Sequence, residues 1–274
     1  MKILNGKELA QKIKEEAREE ILYDNSEPCL VVIQVGNDPA SSVYVKNKEK
    51  ACLECGINSR IYYLKEYTPE EEIIEIIEVL NKSPSVSGIL VQLPLPVHID
   101  TGKVLQSIAP EKDVDGFHIS NAGKLLIGKD TFVPCTAEGI IELLKANEIE
   151  LEGKNCVVVG RSNIVGKPVA LELLHNNATV TICHSKTKNL KEICLGADIL
   201  ICAIGKPKFF NREYISYGTV VVDVGIHRTK DGLCGDVDFE DVKEIAGAIT
   251  PVPGGVGPMT VAMLMKNVVK AARR

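Results

Sequence analysis

The chain has 274 residues, of which 45% are hydrophobic, and it carries a formal net charge of −5 at pH 7. This length and apolar content suffice for two domains with separate cores. There is no cluster of lysine and arginine with interleaved aromatic residues, which argues against nucleic acid as a partner. There is also no apolar stretch long enough for a signal peptide or a membrane span, so we expect a cytoplasmic protein without a membrane partner.

Nine cysteines are scattered through predicted strands and helices, an odd number that fits buried thiols in a reducing compartment. Cys52 and Cys55 form a C-x-x-C pair, which suits a redox centre or half of a zinc site. The pair lies inside a helical pattern, and no second pair has the spacing that four-coordinate zinc requires. We therefore predict neither a redox centre nor a metal site.

The first half of the chain alternates between predicted helices and strands. Its strand ends carry no glycine-rich phosphate turn, so this β-α-β-α-β order predicts an α/β substrate domain. The predicted elements are helices at 5–22, 41–55 and 69–80 and strands at 30–35, 61–64 and 88–93, with Ser41 or Ser42 capping the second helix and Gly56 ending it.

The segment Asn155–Pro168 predicts a phosphate-binding turn. A strand of β-branched residues ends at Gly160, a short polar turn follows, and Pro168 lies in the first turn of a helix. This layout brings backbone N–H groups and a helix N-terminus to a phosphate, which indicates a nucleotide cofactor. The spacing departs from G-x-G-x-x-G, because Gly166 comes four residues after Ser162, and taken alone it also fits an ordinary strand-to-helix turn.

Further strands favour the nucleotide-binding interpretation. The segments 198–205 and 218–225 are apolar runs that both end in glycine. Strands of this kind, buried on both faces and alternating with helices, indicate a Rossmann-like, doubly wound parallel sheet. We therefore expect a two-domain α/β fold, with a nucleotide domain at 119–257 and a substrate domain at 1–118 that the C-terminal helix at 258–274 completes.

The predicted strand at 178–183 indicates which nicotinamide cofactor is bound. An NAD-binding unit usually has an acidic residue after this strand, for the ribose hydroxyls, whereas this chain continues with His184, Ser185 and Lys186. Arg161, Ser185 and Lys186 offer positive charge and hydroxyl donors, which suit the additional phosphate of NADP.

Several polar residues lie where the substrate domain would form a pocket. Tyr44 and Lys48 are four residues apart and share one helix face, while Gln92 stands at the end of an apolar strand. Asp115 precedes a glycine turn, and a Pro/Gly-rich loop covers 250–260. Each feature alone also fits a surface pair, a strand end or a plain turn, but together they indicate a binding pocket.

These motifs occur in the same order in a known family, and the similarity runs nearly end to end. The chain resembles the bifunctional methylenetetrahydrofolate dehydrogenase/methenyltetrahydrofolate cyclohydrolases. One departure is Pro-Cys-Thr-Ala at 134–137, where the family commonly has a second proline, and this bears on the rigidity of that loop. The matching segments are 44–48, 88–96, 110–117, 121–124, 160–168, 183–187, 223–226 and 250–260.

The resemblance implies that NADP oxidises 5,10-methylenetetrahydrofolate to the methenyl compound, which is then hydrolysed to 10-formyltetrahydrofolate. It also implies a role in one-carbon metabolism and purine biosynthesis, and a homodimer built through the nucleotide domains. In the implied site, Lys48 is the central catalytic group, and Gln92 lies beside it. Tyr44 lies against the aminobenzoate ring, Asp115 accepts hydrogen bonds from the pterin, and the loop with Pro253, Gly254 and Gly255 closes over the cleft. The implied contacts of NADP are Gly160, Arg161, Ser162, Gly166, Ser185 and Ile226.

Two other functions stay open on the sequence alone. One is a dehydrogenase without the hydrolytic step, or a related α/β dehydrogenase with another small substrate. The other is a non-enzymatic module that senses NADP. The joint presence of Lys48, Gln92 and Asp115 argues against the sensor, which needs none of them. Because Lys48 serves both chemical steps, it does not separate the bifunctional enzyme from the dehydrogenase.

Overall fold

The computed structural model describes residues 1–230 and 232–273, which form two compact units, each made of two pieces of chain. The three-stranded unit contains residues 11–135 and the described residues from 261 onward. The six-stranded unit contains residues 1–10 and 136–260. The C-terminal segment thus belongs with the first half of the chain, while the first ten residues and the limit at 135 differ from the domain limits expected from the sequence.

Helices and strands alternate along most of the described chain. No helix in these residues is both long and apolar enough to cross a membrane. In chain order the elements are β1 (Lys2–Ile3), α1 (Gly6–Asp24), β2 (Cys29–Val35), α2 (Pro39–Cys55), β3 (Asn58–Leu64), α3 (Glu70–Lys82), β4 (Gly88–Val91), α4 (Thr101–Ser107), α5 (Ile119–Leu126), α6 (Cys135–Ala146), β5 (Asn155–Val159), α7 (Gly166–His175), β6 (Thr179–Cys183), α8 (Leu190–Leu195), β7 (Ile199–Cys202), a 3-10 turn (Arg212–Tyr214), β8 (Val220–Asp223), β9 (His227–Thr229), β10 (Gly232–Cys234), α9 (Phe239–Val242), β11 (Ala248–Ile249) and α10 (Val256–Ala272).

The three-stranded unit has a parallel sheet in the order β3-β2-β4. Every residue of the central strand β2 is buried, which explains why it is apolar at every position except Gln34. The buried face of α3 presents Ile73, Ile77 and Leu80 to the core, and the acidic residues of this helix lie on its other face. The predicted β-α-β-α-β order of this half is confirmed.

The ends of α2 agree only in part with the sequence-based expectation. The predicted cap at Ser41 or Ser42 is wrong, because the N-cap is Asp38, whose carboxylate accepts a hydrogen bond from the Ser41 backbone N–H at 2.7 Å. A carboxylate is the stronger acceptor for an unpaired N–H at a helix start. The predicted end at Gly56 is confirmed, and its φ of 79° is the left-handed conformation that glycine adopts without strain.

The six-stranded unit has an all-parallel sheet in the order β1-β11-β8-β7-β5-β6, which confirms the doubly wound prediction. The edge strand β1 and its neighbour β11 are two residues long, and they pair Lys2 with Ala248, which is far away in the sequence. An antiparallel hairpin of β9 and β10 follows β8.

Each sheet contains a point at which the order of strands reverses. The chain passes from β2 to β3 on one side and then crosses to β4 on the other side of β2. In the same way it passes from β5 to β6 and then crosses to β7. Crevices therefore open at the carboxyl ends of β2 and β4 in one unit and of β5 and β7 in the other, where open α/β sheets bind ligands.

Candidate functional site

Lys48 and Gln92 meet at the switch point of the three-stranded sheet. Gln92 follows β4 directly, and its backbone N–H donates to the Ile33 carbonyl of β2 at 2.8 Å. The Lys48 side chain, from α2, donates from Nζ to Oε1 of Gln92 at 2.9 Å. The Gln92 amide nitrogen donates to the Leu93 carbonyl at 2.7 Å, which turns the amide oxygen toward Lys48. The structure therefore joins two residues that the sequence selected separately.

Tyr44 lies one turn before Lys48 on α2, so both side chains project from the same face of that helix. Its side chain is half-buried. Burial raises the pKa of the Tyr44 phenol above its ordinary value. Tyr44 is therefore an uncharged aromatic group beside a polar pair, which suits stacking against a ring and donation of a single hydrogen bond.

Asp115 brings a carboxylate to the same unit. Burial raises the pKa of Asp115, the positive charge of Lys48 lowers it, the charge of Asp113 raises it, and a hydrogen bond from the Cys135 thiol lowers it. Lys48 and Asp115 belong to the same unit, and the charge of Lys48 acts on the Asp115 carboxylate. The three-stranded unit therefore brings together Tyr44, Lys48, Gln92 and Asp115.

A buried polar network holds the segment before and after Asp115. Asp113 is only 1% exposed and accepts hydrogen bonds from the backbone N–H of His118 at 2.7 Å and from Nδ2 of Asn121 at 2.8 Å. Asn121 in turn accepts a hydrogen bond from Thr131 Oγ1 at 2.8 Å. A network with its partners satisfied gives this loop one conformation.

Asn267 supports the same loop from α10, and sequence analysis missed it. This residue is 3% exposed, and its Nδ2 donates to the Val114 carbonyl at 3.0 Å and to the Val133 carbonyl at 3.3 Å. The Cys135 thiol donates to the same Val114 carbonyl at 3.4 Å. The available signal was an asparagine between the apolar residues 261–265 and 268–269, because a buried amide needs partners.

The predicted phosphate turn adopts a tight strand-to-helix geometry in the six-stranded unit. Gly160 follows β5 with a φ of 139°, and a Cβ there would overlap the Ala203 carbonyl. A Cβ on Gly166 would overlap the carbonyl of Gly160. Both glycines are therefore required where the loop approaches the start of α7. The Ser162 hydroxyl accepts hydrogen bonds from the N–H groups of Val165 at 3.1 Å and Gly166 at 3.3 Å, which closes the turn.

Exposed cationic and hydroxyl side chains flank this turn. Arg161, Ser185 and Lys186 are exposed, and no carboxylate stands at the end of β6 in residues 183–188. The loop after β6 is ordered by the Thr187 hydroxyl, which accepts from the His184 N–H at 2.8 Å. Because these donors and glycines suit a phosphorylated anion, the residues present fit NADP.

The remaining expected site residues also belong to the six-stranded unit. Ile226 follows β8 with a partly exposed side chain. In the Pro/Gly-rich loop that contains Pro253, Gly254 has a φ of 114°, and its carbonyl accepts from the Gly6 N–H at 2.8 Å. The Gly255 N–H donates to the Pro251 carbonyl at 2.8 Å, so backbone hydrogen bonds order the loop.

Cys52 and Cys55 both lie in α2, as the helical pattern predicts, and both are buried. Burial raises the pKa of Cys52 to about 12 and that of Cys55 to about 11. Such thiols carry almost no thiolate at neutral pH and are poor nucleophiles. Among the described residues there is no group of three or more potential ligands that could hold a metal ion.

Comparison with known proteins covers both units. The family described as tetrahydrofolate dehydrogenase/cyclohydrolase matches with its catalytic domain at residues 4–115 and with its NAD(P)-binding domain at residues 134–274. A protein from Agathobacter rectalis called bifunctional protein FolD is 59% identical, over 99% of this chain and 99% of its own.

Two solved structures extend this similarity to three dimensions. The bifunctional FolD methylenetetrahydrofolate dehydrogenase/cyclohydrolase from Campylobacter jejuni superposes with a TM-score of 0.97 at 51% identity, covering 100% of this chain and 99% of its own. The methylenetetrahydrofolate dehydrogenase-cyclohydrolase from Trypanosoma brucei, complexed with NADP and an inhibitor, has a TM-score of 0.94 at 38% identity, covering 99% and 97%.

Proposed function

The chain belongs to the tetrahydrofolate dehydrogenase/cyclohydrolase family, and from this premise we propose how its own residues carry out the two reactions. The protein is a bifunctional enzyme that oxidises 5,10-methylenetetrahydrofolate with NADP and hydrolyses the resulting 5,10-methenyltetrahydrofolate to 10-formyltetrahydrofolate. The observation that carries the residue assignment is the hydrogen bond between Lys48 and Gln92 at the switch point of the three-stranded sheet.

The oxidation needs little chemistry from side chains. NADP supplies the hydride acceptor, and the cation that remains on the substrate is stabilised by the two nitrogens that flank its one-carbon centre. The protein must therefore hold the folate in one orientation and keep the reacting carbons in contact. Asp115 serves this purpose by accepting paired hydrogen bonds from the amino-pyrimidine edge of the pterin. Tyr44 packs against the aminobenzoate ring and fixes the position of the one-carbon centre.

The hydrolysis depends on proton transfer. Water adds to the one-carbon centre and loses one proton, which leaves a hydroxyl group. That hydroxyl loses its proton as the formyl C=O bond forms, while the bond from the carbon to N5 breaks and N5 takes up a proton, so that one proton is released overall. Lys48 moves these protons, because its amine is the basic group that the site offers. Gln92 orients that amine by accepting one of its N–H bonds through an oxygen that its own hydrogen bond to Leu93 holds in place.

The cofactor contacts follow from the turn after β5. The absence of side chains at Gly160 and Gly166 lets the turn pass close to the start of α7, where we propose that the pyrophosphate binds. Arg161 and Ser185 bind the ribose phosphate that distinguishes NADP from NAD. Ile226 supports the nicotinamide. Pro253, Gly254 and Gly255 contact the folate.

Neither alternative function is needed. A module that only senses NADP has no use for a lysine, glutamine and aspartate assembled in the other unit. A dehydrogenase without the hydrolytic step is not favoured, because the FolD relatives that this chain resembles over its full length are bifunctional by name.

A homodimer joined through the six-stranded units is part of the proposal. The strand β6 stands at the edge of its sheet, and among the described residues it pairs only with β5. Ile182 of β6 and Leu174 of α7, the helix that packs beside β6, are exposed. An exposed, β-branched edge strand with adjacent apolar side chains favours pairing with a second copy. Sedimentation velocity of the wild type and of Ile182→Lys tests this proposal. It is refuted if both proteins sediment as monomers.

We also propose a cytoplasmic location and a role in supplying formyl groups for purine biosynthesis. All nine cysteines are free thiols, and eight of them are buried, which suits a reducing compartment.

The experiment that tests the function uses purified protein and ultraviolet absorbance. Methylenetetrahydrofolate is supplied with NADP or NAD, and formation of the methenyl chromophore is followed; the decay of methenyltetrahydrofolate is then followed without cofactor. We expect oxidation with preference for NADP and enzyme-dependent decay. Oxidation without accelerated decay would show that the protein lacks the hydrolytic activity. Absence of both reactions would contradict the assignment as an enzyme.

A further inference from the structure

Asp236 is a buried carboxylate outside the sites discussed above, and it organises a neighbouring turn. Its side chain has 0% exposure. Oδ2 accepts the backbone N–H groups of Ile204 at 2.6 Å and Gly205 at 3.0 Å, while Oδ1 accepts the N–H of Lys206 at 2.8 Å. Oδ1 also lies 2.8 Å from Nε2 of His227. A carboxylate has about four acceptor sites, so this one is saturated.

A second buried carboxylate, Asp223, anchors the backbone that presents Asp236. Its Oδ1 accepts from the N–H groups of Gly225 at 3.0 Å and Asp236 at 2.8 Å, and its Oδ2 accepts from Val237 at 2.9 Å. A Cβ on Gly235 would overlap the Asp223 carboxylate, and a Cβ on Gly225 would overlap Asp236. The local sequence therefore makes room for both acids at the carboxyl end of β8.

Ile226 lies between the two residues that these acids hold. The residue before it, Gly225, is bonded through its backbone to Asp223, and the residue after it, His227, is bonded through its ring to Asp236. The Ile226 side chain itself remains 42% exposed. Both neighbours of this exposed apolar side chain are thus bonded to buried carboxylates, Gly225 through its backbone and His227 through its ring.

The turn at residues 204–206 is the other segment that Asp236 holds, and it follows β7. Ala203, at the start of this turn, lies against Gly160, the first glycine of the phosphate turn. Asp236 therefore links the position of Ile226 to the edge of the sheet where the phosphate turn lies.

We propose that Asp236 is a positioning residue for hydride transfer: it holds Ile226 and the 204–206 turn as a preformed support for the nicotinamide end of NADP. The proposal rests on the assigned contact between Ile226 and the cofactor. Hydrogen bonds from N–H groups to a buried carboxylate are stronger than those to an amide, so they resist displacement when the ring docks. Because hydride transfer requires close contact of two carbons, a small shift of the support slows the reaction even when the phosphates still bind.

The test is Asp236→Asn, which keeps the size of the side chain but turns an N–H2 group toward N–H donors. We expect kcat for methylenetetrahydrofolate oxidation to fall at least tenfold, while KM for NADP changes less than threefold. Hydrolysis of the methenyl substrate without cofactor should be unchanged in the same preparation, and this control reports that the three-stranded unit is intact. Asp238→Asn is the matched control, since its half-exposed carboxylate lies 4.0 Å from Lys208. It should match the wild type.

A second pair of variants does not depend on how well Asp236→Asn folds. His227→Leu removes the donor to Asp236, while His227→Gln retains an N–H that can reach it. We expect the leucine variant to lower kcat for oxidation and the glutamine variant to restore most of it. A purely structural role for the ring would make the two losses equal.

Several results would overturn the proposal. These are an unchanged kcat in Asp236→Asn, a rise in KM for NADP without a fall in kcat, a parallel loss of hydrolysis, or equal losses in the two His227 variants. The variant Ile226→Ala distinguishes a wrong positioning role of Asp236 from a wrong assignment of the contact between Ile226 and the cofactor. If Ile226→Ala leaves oxidation intact, the cofactor contact is wrong; if it slows oxidation and Asp236→Asn does not, only the positioning role is wrong.

Discussion

The amide of Gln92 faces Lys48 with its oxygen, at 2.9 Å from Nζ, because its nitrogen donates to the Leu93 carbonyl. A neutral acceptor holds a lysine in place but, unlike a carboxylate, does not neutralise its charge. This fixed position suits the role in proton transfer that we propose for Lys48 in hydrolysis.

Replacing Lys48 by methionine should abolish hydrolysis while leaving cofactor binding intact. Methionine keeps the length of the side chain but cannot transfer a proton, and loss of general acid-base catalysis typically costs about 10² to 10⁴ in rate. Methenyl decay and NADP titration on the same sample measure the two properties. Lys46→Met, an exposed lysine of the same helix, is the control. Undiminished hydrolysis by the Lys48 variant would remove this residue from the mechanism.

Replacing Arg161 by alanine should weaken NADP far more than NAD. The guanidinium is exposed beside the phosphate turn and can bind the ribose phosphate through two hydrogen bonds, each assisted by charge. Such bonds are worth about 1.5 to 3 kcal/mol, or at least tenfold in affinity. KM values for both cofactors measure the effect, and Arg212→Ala, which removes a surface arginine bonded to Asp241, is the control. Equal losses for the two cofactors would mean that another group recognises this phosphate.

Folate binding should weaken as the pH falls. The pH at which binding is lost should be higher than it would be for an aspartate with an ordinary pKa. Burial raises the pKa of Asp115, and only its ionised form accepts both hydrogen bonds from the pterin. Because the charge of Lys48 lowers the pKa of Asp115, Lys48→Met should move the loss of binding to still higher pH. Fluorescence titration of a folate inhibitor against pH measures both curves. Overlap of the two curves would mean that the charges are not coupled.

Asp223 should make the protein less stable as the pH rises from about 4 to 6. Burial raises the pKa of Asp223 from 3.8 to about 6, and hydrogen bonds from Val237, Asp236 and Gly225 oppose this effect. The folded state therefore keeps this proton to higher pH than the unfolded state, so the stabilisation is complete below pH 3.8 and is lost through pH 6. The gap corresponds to roughly 3 kcal/mol at most.

Urea unfolding of the wild type and of Asp223→Asn at several pH values tests this expectation, because the variant lacks the titrating group. The free energy of unfolding of the wild type should fall relative to that of the variant across this pH interval. Asp238→Asn supplies the reference slope. Parallel pH profiles for the wild type and Asp223→Asn would contradict the assigned titration.

The regular parts of the fold could be predicted because they depend on local patterns. The apolar runs that became β2, β5, β7 and β8 are buried on both faces, so their sequence carries the signal directly. The glycines at 160 and 166 mark the phosphate turn because a side chain at either place would overlap the backbone. Gln92 stood out because it is the only polar residue of its apolar run.

Other features could not be predicted because they depend on distant residues. The strands β1 and β11 have two residues each, too few for a period, and their pairing joins Lys2 to Ala248. Asp236 follows a glycine and resembles an ordinary turn residue, and its role becomes visible only when the turn at 204–206 is seen to bond to it. The Asp38 cap was missed because Asn37, Asp38, Ser41 and Ser42 are all residue types that can cap a helix.

The division of the chain constrains how the molecule is made. The opening ten residues complete the sheet of the six-stranded unit, and the closing helix supplies Asn267 to the loop of Asp115 in the other. Neither unit can be excised as one continuous fragment, and removing residues 1–10 would damage the six-stranded unit, whose other residues are 136–260. During synthesis, the loop around Asp115 lacks the hydrogen bonds from the Asn267 side chain until residue 267 has been added.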